Sequence, residues 1–103
     1  MAKGYWLAFL DVSDPQGYNE YIRATGPVLA QYGARFLALG GKVEPKEGQP
    51  KSRMIVIEFP SYAAALECYR SPEYAKAMTL REGKSVMDLA ITEGYDGPPP
   101  PDS

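Results

Sequence analysis

The strand-like stretches of this chain are apolar on both faces, and this feature constrains the fold more than any other. Along residues 5–12, alternate side chains point to opposite faces, and both sets are apolar: Tyr5, Leu7 and Phe9 against Trp6, Ala8, Leu10 and Val12. Residues 54–59 repeat the pattern. A sheet with two apolar faces must be covered twice, and the helical segments suffice for one face only. The sequence therefore predicts that a second copy of the chain covers the other face.

The size and charge of the chain exclude several classes of protein. A chain of 103 residues corresponds to one domain. The net charge of −2, with scattered Lys and Arg, provides no basic surface for nucleic acid or membrane binding. We expect no signal peptide and no membrane span, because no apolar run is long enough. The single cysteine, Cys68, excludes an internal disulfide and favours a cytoplasmic location.

Histidine is absent, which narrows the chemistry further. Ser-His and Cys-His nucleophile pairs, haem held by a proximal His and nearly all catalytic zinc sites need that side chain. We therefore expect neither a metal nor a bound cofactor. Any proton transfer would use Asp, Glu, Tyr, Lys, Arg or the substrate itself.

Capping residues and hydrophobic periodicity divide the chain into four strands and three helical segments. Asp14-Pro15 is typical of a helix start and predicts a helix over 15–32, with a kink or break at Gly26-Pro27. Pro60-Ser61 and Ser71-Pro72 predict two further helix starts. Strands are expected over 5–12, 35–41, 53–59 and 86–93, with a polar loop at 42–52.

This order, β-α-β-β-α-β, predicts a ferredoxin-like α+β fold with a four-stranded antiparallel sheet. Right-handed crossovers place the helices on one face, and two such sheets packed together form a dimeric α+β barrel. The candidate interface residues are Trp6, Leu10, Met54 and Val56, with the opposite face of the first strand as the alternative for its two residues. We expect one domain over residues 1–94 and a Pro-rich tail over 95–103. The tail is either a loose end or a polyproline II arm lying on a neighbour.

Over residues 3–93 the chain resembles the DUF1330 family, whose members are small dimeric α+β barrel proteins without an assigned function. The resemblance rests on Gly4-Tyr5, Asp14-Pro15 with Tyr18 and Tyr21, Gly33, Phe36, Gly40-Gly41, Arg53, Ile57-Glu58-Phe59-Pro60-Ser61, Tyr69-Arg70-Ser71-Pro72-Glu73-Tyr74 and Arg81. One position departs, because family members often have Arg where this chain has Leu39. The resemblance implies the fold and the dimer but no activity; related barrels range from cofactor-free monooxygenases to isomerases and lyases.

Charged residues on the apolar stripes are the first candidates for a site. Arg81 continues the stripe of Tyr74, Ala77 and Met78, so it is either an anion clamp or a structural cation near helix carbonyls or an internal acid. Glu58 lies on a strand face and is either a general base with a raised pKa or an ion-pair partner. Arg53 either contacts a neighbouring loop or presents charge to an acidic ligand.

Aromatic residues on the same stripes suggest a pocket between helices and sheet. Tyr21, Tyr69 and Tyr74, with Trp6, are either core residues or the walls of a site for a small planar or acidic molecule. Cys68 is expected to lie off the buried stripe and to be inert. The first hypothesis is a homodimer that binds, or transforms, a small organic acid or aromatic metabolite without metal or bound cofactor, with Glu58 moving a proton. The alternatives are a non-enzymatic dimeric module and a subunit that recruits a partner through its tail.

Overall fold

The computed structural model describes residues 2–101; Met1 and the last two residues of the expected tail, Asp102 and Ser103, lie outside the described residues. The elements follow the predicted order: β1 (Gly4–Val12), α1 (Pro15–Gln31), β2 (Arg35–Leu39), β3 (Arg53–Phe59), α2 (Tyr62–Arg70), α3 (Pro72–Met78), a 3₁₀ turn (Thr79–Arg81) and β4 (Ser85–Glu93). Residues 40–52 form the expected loop without regular structure.

The four strands form one antiparallel sheet in the order β2-β3-β1-β4. The first strand occupies the centre, with Leu7 opposite Val56 of β3 on one side and Ala90 of β4 on the other. The pairing register between β2 and β3 shifts between Phe36 and Ala38, which marks a β-bulge at Leu37. This arrangement confirms the predicted ferredoxin-like α+β fold.

Local signals in the sequence set the helix boundaries. Asp14 caps α1 by accepting a hydrogen bond from the backbone N–H of Gly17 at 3.2 Å, and Pro15 follows at the first helical position. Ser61 and Ser71 cap α2 and α3 in the same way. The helix α1 continues without a break through Gly26 and Pro27, so the break that the sequence allows does not occur. Gly33, at φ +71°, follows its end in the left-handed conformation.

The helices cover one face of the sheet, and this helix side holds the core. Trp6 and Leu10 of β1 belong to it, with 2% and 0% of their surfaces exposed. The prediction that these two residues face a partner subunit is therefore wrong. Both faces of β1 are apolar, so alternation alone did not decide which face the helices cover. The Trp6 indole N–H is also satisfied there, because it donates to the backbone carbonyl of Ala65 at 2.9 Å.

Cys68 is fully buried in the same core, contrary to the expectation that it lies off the buried stripe of its helix. The buried positions of α2 are Ala65 and Cys68, three residues apart, whereas Tyr62 at the start of the helix is exposed. The helix is thus rotated by a fraction of a turn from the predicted orientation.

The opposite face of the sheet carries no helix, and we call it the open face. It consists of half-exposed and exposed residues from all four strands: Tyr5, Leu7, Phe9, Arg35, Ala38, Met54, Val56, Glu58, Val86, Asp88, Ala90 and Thr92. Its centre is apolar, as the alternation predicts. Met54 and Val56 lie on this face, where the sequence places them.

After β4 the chain leaves the sheet. The backbone N–H of Gly94 still donates to the carbonyl of Lys3 at 2.7 Å. Beyond it, 95–101 has no strand or helix, and the Tyr95 hydroxyl donates to the carbonyl of Pro98. Within residues 2–101, no helix has the length and apolar character that crossing a bilayer requires.

Candidate functional site

A cavity of about 190 Å³ lies on the helix side of the sheet, between α1 and the ends of β1, β2 and β3. Its apolar wall consists of Leu10, Ile22, Leu39 and Ile55; its polar wall consists of Tyr18, Asn19, Gly40 and Arg53. The strand register places Arg53 opposite Leu10, which directs both side chains towards the helix side. The first turns of α1 thus supply the phenol of Tyr18 and the amide of Asn19, and β3 supplies the guanidinium of Arg53. All three residues line the cavity.

Tyr18 lines this cavity, and its hydroxyl group is unusual. Tyr18 is 4% exposed, and its buried hydroxyl oxygen has no hydrogen-bond partner among residues 2–101. Burial raises the pKa of this hydroxyl far above its ordinary value, with a contribution from Tyr21, whereas the charges of Arg81 and Arg53 oppose the shift. Tyr18 is therefore neutral at physiological pH, and no group among residues 2–101 accepts its O–H. A buried polar group without a partner costs about 1–3 kcal/mol, so an acceptor that reached this hydroxyl from the cavity would recover that free energy.

Arg53 supplies the positive charge at the same cavity. It is exposed, and it forms no ion pair with any residue of the described part of the chain. The lining of this cavity contains no carboxylate. The cavity thus has an electropositive, hydrogen-bond-donating side and an apolar side, which suits a ligand with an anionic group and a hydrocarbon body.

A smaller crevice of about 20 Å³ continues the cavity inward. The two spaces share Ile22 and Ile55. Beyond them, the crevice is lined by Trp6, Ala8, Tyr21, Thr25, Phe36, Ile57, Met87 and Leu89. A space of this size holds about one water molecule or a methyl group.

The predicted aromatic residues come together, but mainly as core. The ring centroids of Trp6 and Tyr74 are 5.0 Å apart, and those of Tyr69 and Tyr74 are 5.3 Å apart. The Tyr74 and Tyr21 hydroxyls form a hydrogen bond of 2.7 Å, so each satisfies the other. Trp6 and Tyr21 line the crevice, whereas Tyr69 and Tyr74 line neither space.

Arg81 lies against this aromatic cluster rather than in the cavity. Its guanidinium carbon is 5.5 Å from the centre of the Tyr21 ring, a cation–π contact. No acid pairs with it in the described residues, and its Nε is buried without a partner. Burial alone would lower the pKa of Arg81, but the neighbouring Tyr74 and Tyr21 outweigh burial and raise it. The guanidinium therefore remains a charged, incompletely satisfied donor, and the internal acid that the sequence allows is not present there.

Glu58 is separated from these residues, because it lies on the open face of the sheet. Its carboxylate accepts from Arg35 Nε at 3.0 Å and from the Tyr5 hydroxyl at 3.2 Å. Burial would raise the pKa of Glu58, but the hydrogen bonds from Arg35 and Tyr5 outweigh it and lower the pKa. Of the two interpretations that the sequence leaves open, the ion-pair partner describes this geometry.

Tyr18, Asn19 and Gly40 line the cavity, yet sequence reasoning did not single them out as site residues. Tyr18 shares the helical stripe of Tyr21, which predicts only that it faces the sheet. The signal that distinguishes it, a hydroxyl without a partner, exists only in three dimensions. For metals, the described residues 2–101 contain no cluster of three or more His, Cys, Asp or Glu side chains arranged to hold an ion.

Comparison with solved structures places the chain among ferredoxin-like α+β proteins. The RPA0582 protein of unknown function from Rhodopseudomonas palustris superposes with a TM-score of 0.71 at 20% identity, covering 93% of this chain and 85% of that chain. SnoaB, a cofactor-independent oxygenase from Streptomyces nogalater, superposes with a TM-score of 0.62 at 12% identity, covering 97% and 100%. An ethyl tert-butyl ether d (ethd) family protein from Bacillus halodurans gives 0.57 at 14% identity, covering 92% and 100%. These likenesses concern the fold.

Sequence comparison is more specific. No curated protein matches the chain. The family model described as a domain of unknown function, DUF1330, matches residues 3–95, which is nearly the whole chain. The protein is therefore a member of the DUF1330 family.

Proposed function

We propose that this protein binds a small organic acid, with an aromatic or other apolar body, in the cavity lined by Tyr18 and Arg53. The observation that carries the proposal concerns Tyr18, which lines the cavity and whose buried, neutral hydroxyl has no partner among residues 2–101. A carboxylate oxygen would accept from Tyr18 while Arg53 neutralises its charge. Arg81, on the far side of Tyr21, adds positive potential without contacting the ligand.

The size of the cavity limits the ligand to roughly one ring. An apolar cavity of about 150 Å³ binds benzene, whereas drug-sized ligands need about 300 Å³ or more. A volume of about 190 Å³ therefore suits a benzoate-sized acid. A phenol fits the same space but uses the charge of Arg53 less well while it is neutral.

Binding is better supported than catalysis at this site. The cavity lining contains no Asp or Glu, and Glu58 lies across the sheet with a lowered pKa. The likeness to a cofactor-independent oxygenase is an analogy of fold and assigns no reaction. If the protein does transform its ligand, we propose that it does so without metal or bound cofactor, through Tyr18 and the two arginines acting on the substrate.

We also propose that the protein is a homodimer in which two open faces pack together. Leu7, Phe9 and Val56 form the apolar centre of this face. Its charges are already paired within one chain, Glu58 with Arg35 and Asp88 with Lys51. A second copy can therefore cover the face without burying an unpaired charge, whose cost would be prohibitive.

A thermal-shift screen of carboxylic acids and phenols tests the ligand proposal. A ligand present at about 100 times its Kd stabilises the folded protein by about 2.7 kcal/mol through mass action. We expect benzoate to raise the melting temperature of the parent protein and of Arg23→Met, an exposed control on α1. The shift should be smaller or absent in Arg53→Met and Tyr18→Phe.

Two outcomes would contradict the proposal. The first is that no acid or phenol changes the melting temperature, which would favour the non-enzymatic structural module. The second is that Arg53→Met and Tyr18→Phe respond as the parent does, which would place the ligand elsewhere.

A further inference from the structure

The cavity and the crevice lie on one axis, and this arrangement orients any ligand. Along α1 the lining residues run from Tyr18 through Ile22 to Thr25. Along β3 they run in step, from Arg53 through Ile55 to Ile57. The cation, the phenol of Tyr18 and the amide are at the outer end. The polar groups at the inner end are already hydrogen-bonded within the protein: the Thr25 hydroxyl donates to the Tyr21 carbonyl at 2.6 Å, the Tyr21 hydroxyl pairs with that of Tyr74, and the Trp6 indole donates to the Ala65 carbonyl.

An acid bound as proposed above would place its carboxylate at the outer end and point its body at the two isoleucines. Ile22 of α1 and Ile55 of β3 are the residues that both spaces share, so their side chains stand between them. Ile22 is half-buried and Ile55 is buried. Behind them, about 20 Å³ is free, enough for about one methyl group and no more.

We propose that Ile22 and Ile55 form the partition that sets ligand length, and that they make the site selective for compact acids. This inference rests on the proposed function, because it presumes that the carboxylate binds at Tyr18 and Arg53. A benzoate-sized acid fits the outer cavity. A methyl group para to the carboxylate reaches the crevice, and a longer para substituent meets the partition and the close-packed core behind it.

The test measures the affinity of benzoate, 4-methylbenzoate, 4-ethylbenzoate and 4-propylbenzoate by isothermal titration calorimetry. For the parent we expect 4-propylbenzoate to bind at least roughly ten times more weakly than 4-methylbenzoate, the effect of surplus methylenes that an apolar pocket cannot accommodate. Ile22→Ala should remove most of this difference by joining the two spaces. The matched control is Ile91→Ala, a half-buried isoleucine on the same sheet face that lines neither space.

The possible results distinguish a failure of the isoleucine partition from a failure of the proposed acid-binding site. If Ile22→Ala and the parent show the same dependence on substituent length, the partition is wrong while the ligand site stands. If the parent binds none of the acids, the ligand site is wrong and the partition falls with it. Circular dichroism verifies that Ile22→Ala is folded; should it not fold, Ile22→Val, which removes one methyl group, must still shift the preference in the same direction.

Discussion

Arg53 and Arg81 are cations on the helix side that have no carboxylate partner among the described residues. Surface cations are often unpaired at little cost, which describes Arg53 when the cavity is empty. Arg81 differs, because its Nε is buried. The Tyr18 hydroxyl is likewise buried without a partner among residues 2–101. Two buried donors near Tyr21 thus lack a partner among residues 2–101, and both would gain from an anionic ligand nearby.

Replacing Arg81 tests whether it is structural. Arg81→Met loses a cation–π contact of about 0.5–2 kcal/mol but also removes a buried donor whose desolvation costs about 1–3 kcal/mol. These effects offset each other, so we expect the free energy of unfolding in urea to change by less than about 1 kcal/mol. Benzoate binding should weaken, though less than in Arg53→Met.

The exposed Arg70 provides the control, because Arg70→Met should alter neither property. A loss of stability well beyond that range in Arg81→Met, with unchanged benzoate binding, would show that Arg81 is a structural residue.

The thiol of Cys68 should be inert in the folded protein. Burial raises its pKa to about 11, and the thiolate is the reactive form. Native protein at pH 8 should therefore react with an aromatic disulfide reagent far more slowly than protein unfolded in urea. The raised pKa also means that its contribution to stability is complete below about pH 8.5, the ordinary thiol value. That contribution is lost as the pH rises towards 11. Equal labelling rates in native and unfolded protein would contradict this description.

For these individual residues, the sequence predicted the position of the side chain better than its role. Arg53, Arg81 and Tyr21 do lie on the helix side, because their positions on strand and helix stripes decide that. The sequence did not reveal that Arg81 lacks an acid or that Tyr18 lacks an acceptor. Both facts depend on which groups meet across elements distant in the chain.

Among the elements, the junction between α2 and α3 positions the aromatic cluster. Ser71 is 5% exposed; its hydroxyl oxygen accepts from the Tyr74 backbone N–H at 3.1 Å and donates to the Cys68 carbonyl at 2.7 Å. It thereby ends one helix, begins the next and orients Tyr74 towards Tyr21.

Ser71→Ala should therefore destabilise the protein by about 1–2 kcal/mol, the usual cost of losing an N-cap. Urea unfolding followed by circular dichroism measures this. Ser13→Ala, at an exposed position, is the control and should change the free energy of unfolding by no more than about 0.5 kcal/mol. Equal stabilities for the two variants would mean that the cap contributes nothing.

Element boundaries were predictable because they depend on local chemistry. Asp14-Pro15 and Ser71-Pro72 mark helix starts, and the structure begins helices at both. Orientation was less predictable. The first strand is apolar on both faces, so its sequence cannot indicate that Trp6 faces the helices and Leu7 the open face. The same holds for α2. Its three consecutive alanines allow the helix to be rotated about its axis and still bury an apolar face.

The open face is the surface through which we expect the whole molecule to dimerise. Val56 lies near its centre, between Leu7 and Ala38, and its side chain is half-exposed in one chain. Val56→Lys should fold, because the new charge points to solvent, but it should not dimerise, because burying an unpaired ammonium costs several kcal/mol, in order of magnitude. Sedimentation velocity of the parent and the variant measures this.

Ala63→Lys, at an exposed position on α2, is the control and should leave the parent dimer intact. A folded Val56→Lys dimer, or a parent that sediments as a monomer, would show that the open face is not a dimer interface. Whether the Pro-rich tail lies on the partner subunit stays a prediction.

A nuclear magnetic resonance titration shows where on the protein the ligand binds. Benzoate is added to ¹⁵N-labelled protein, and the backbone amide shifts are followed residue by residue. We expect the amide signals of Asn19 and Gly40, which line the cavity, to shift and saturate together, while that of Thr92 on the open face does not move. Saturable shifts confined to the open face, with Asn19 and Gly40 unchanged, would contradict it.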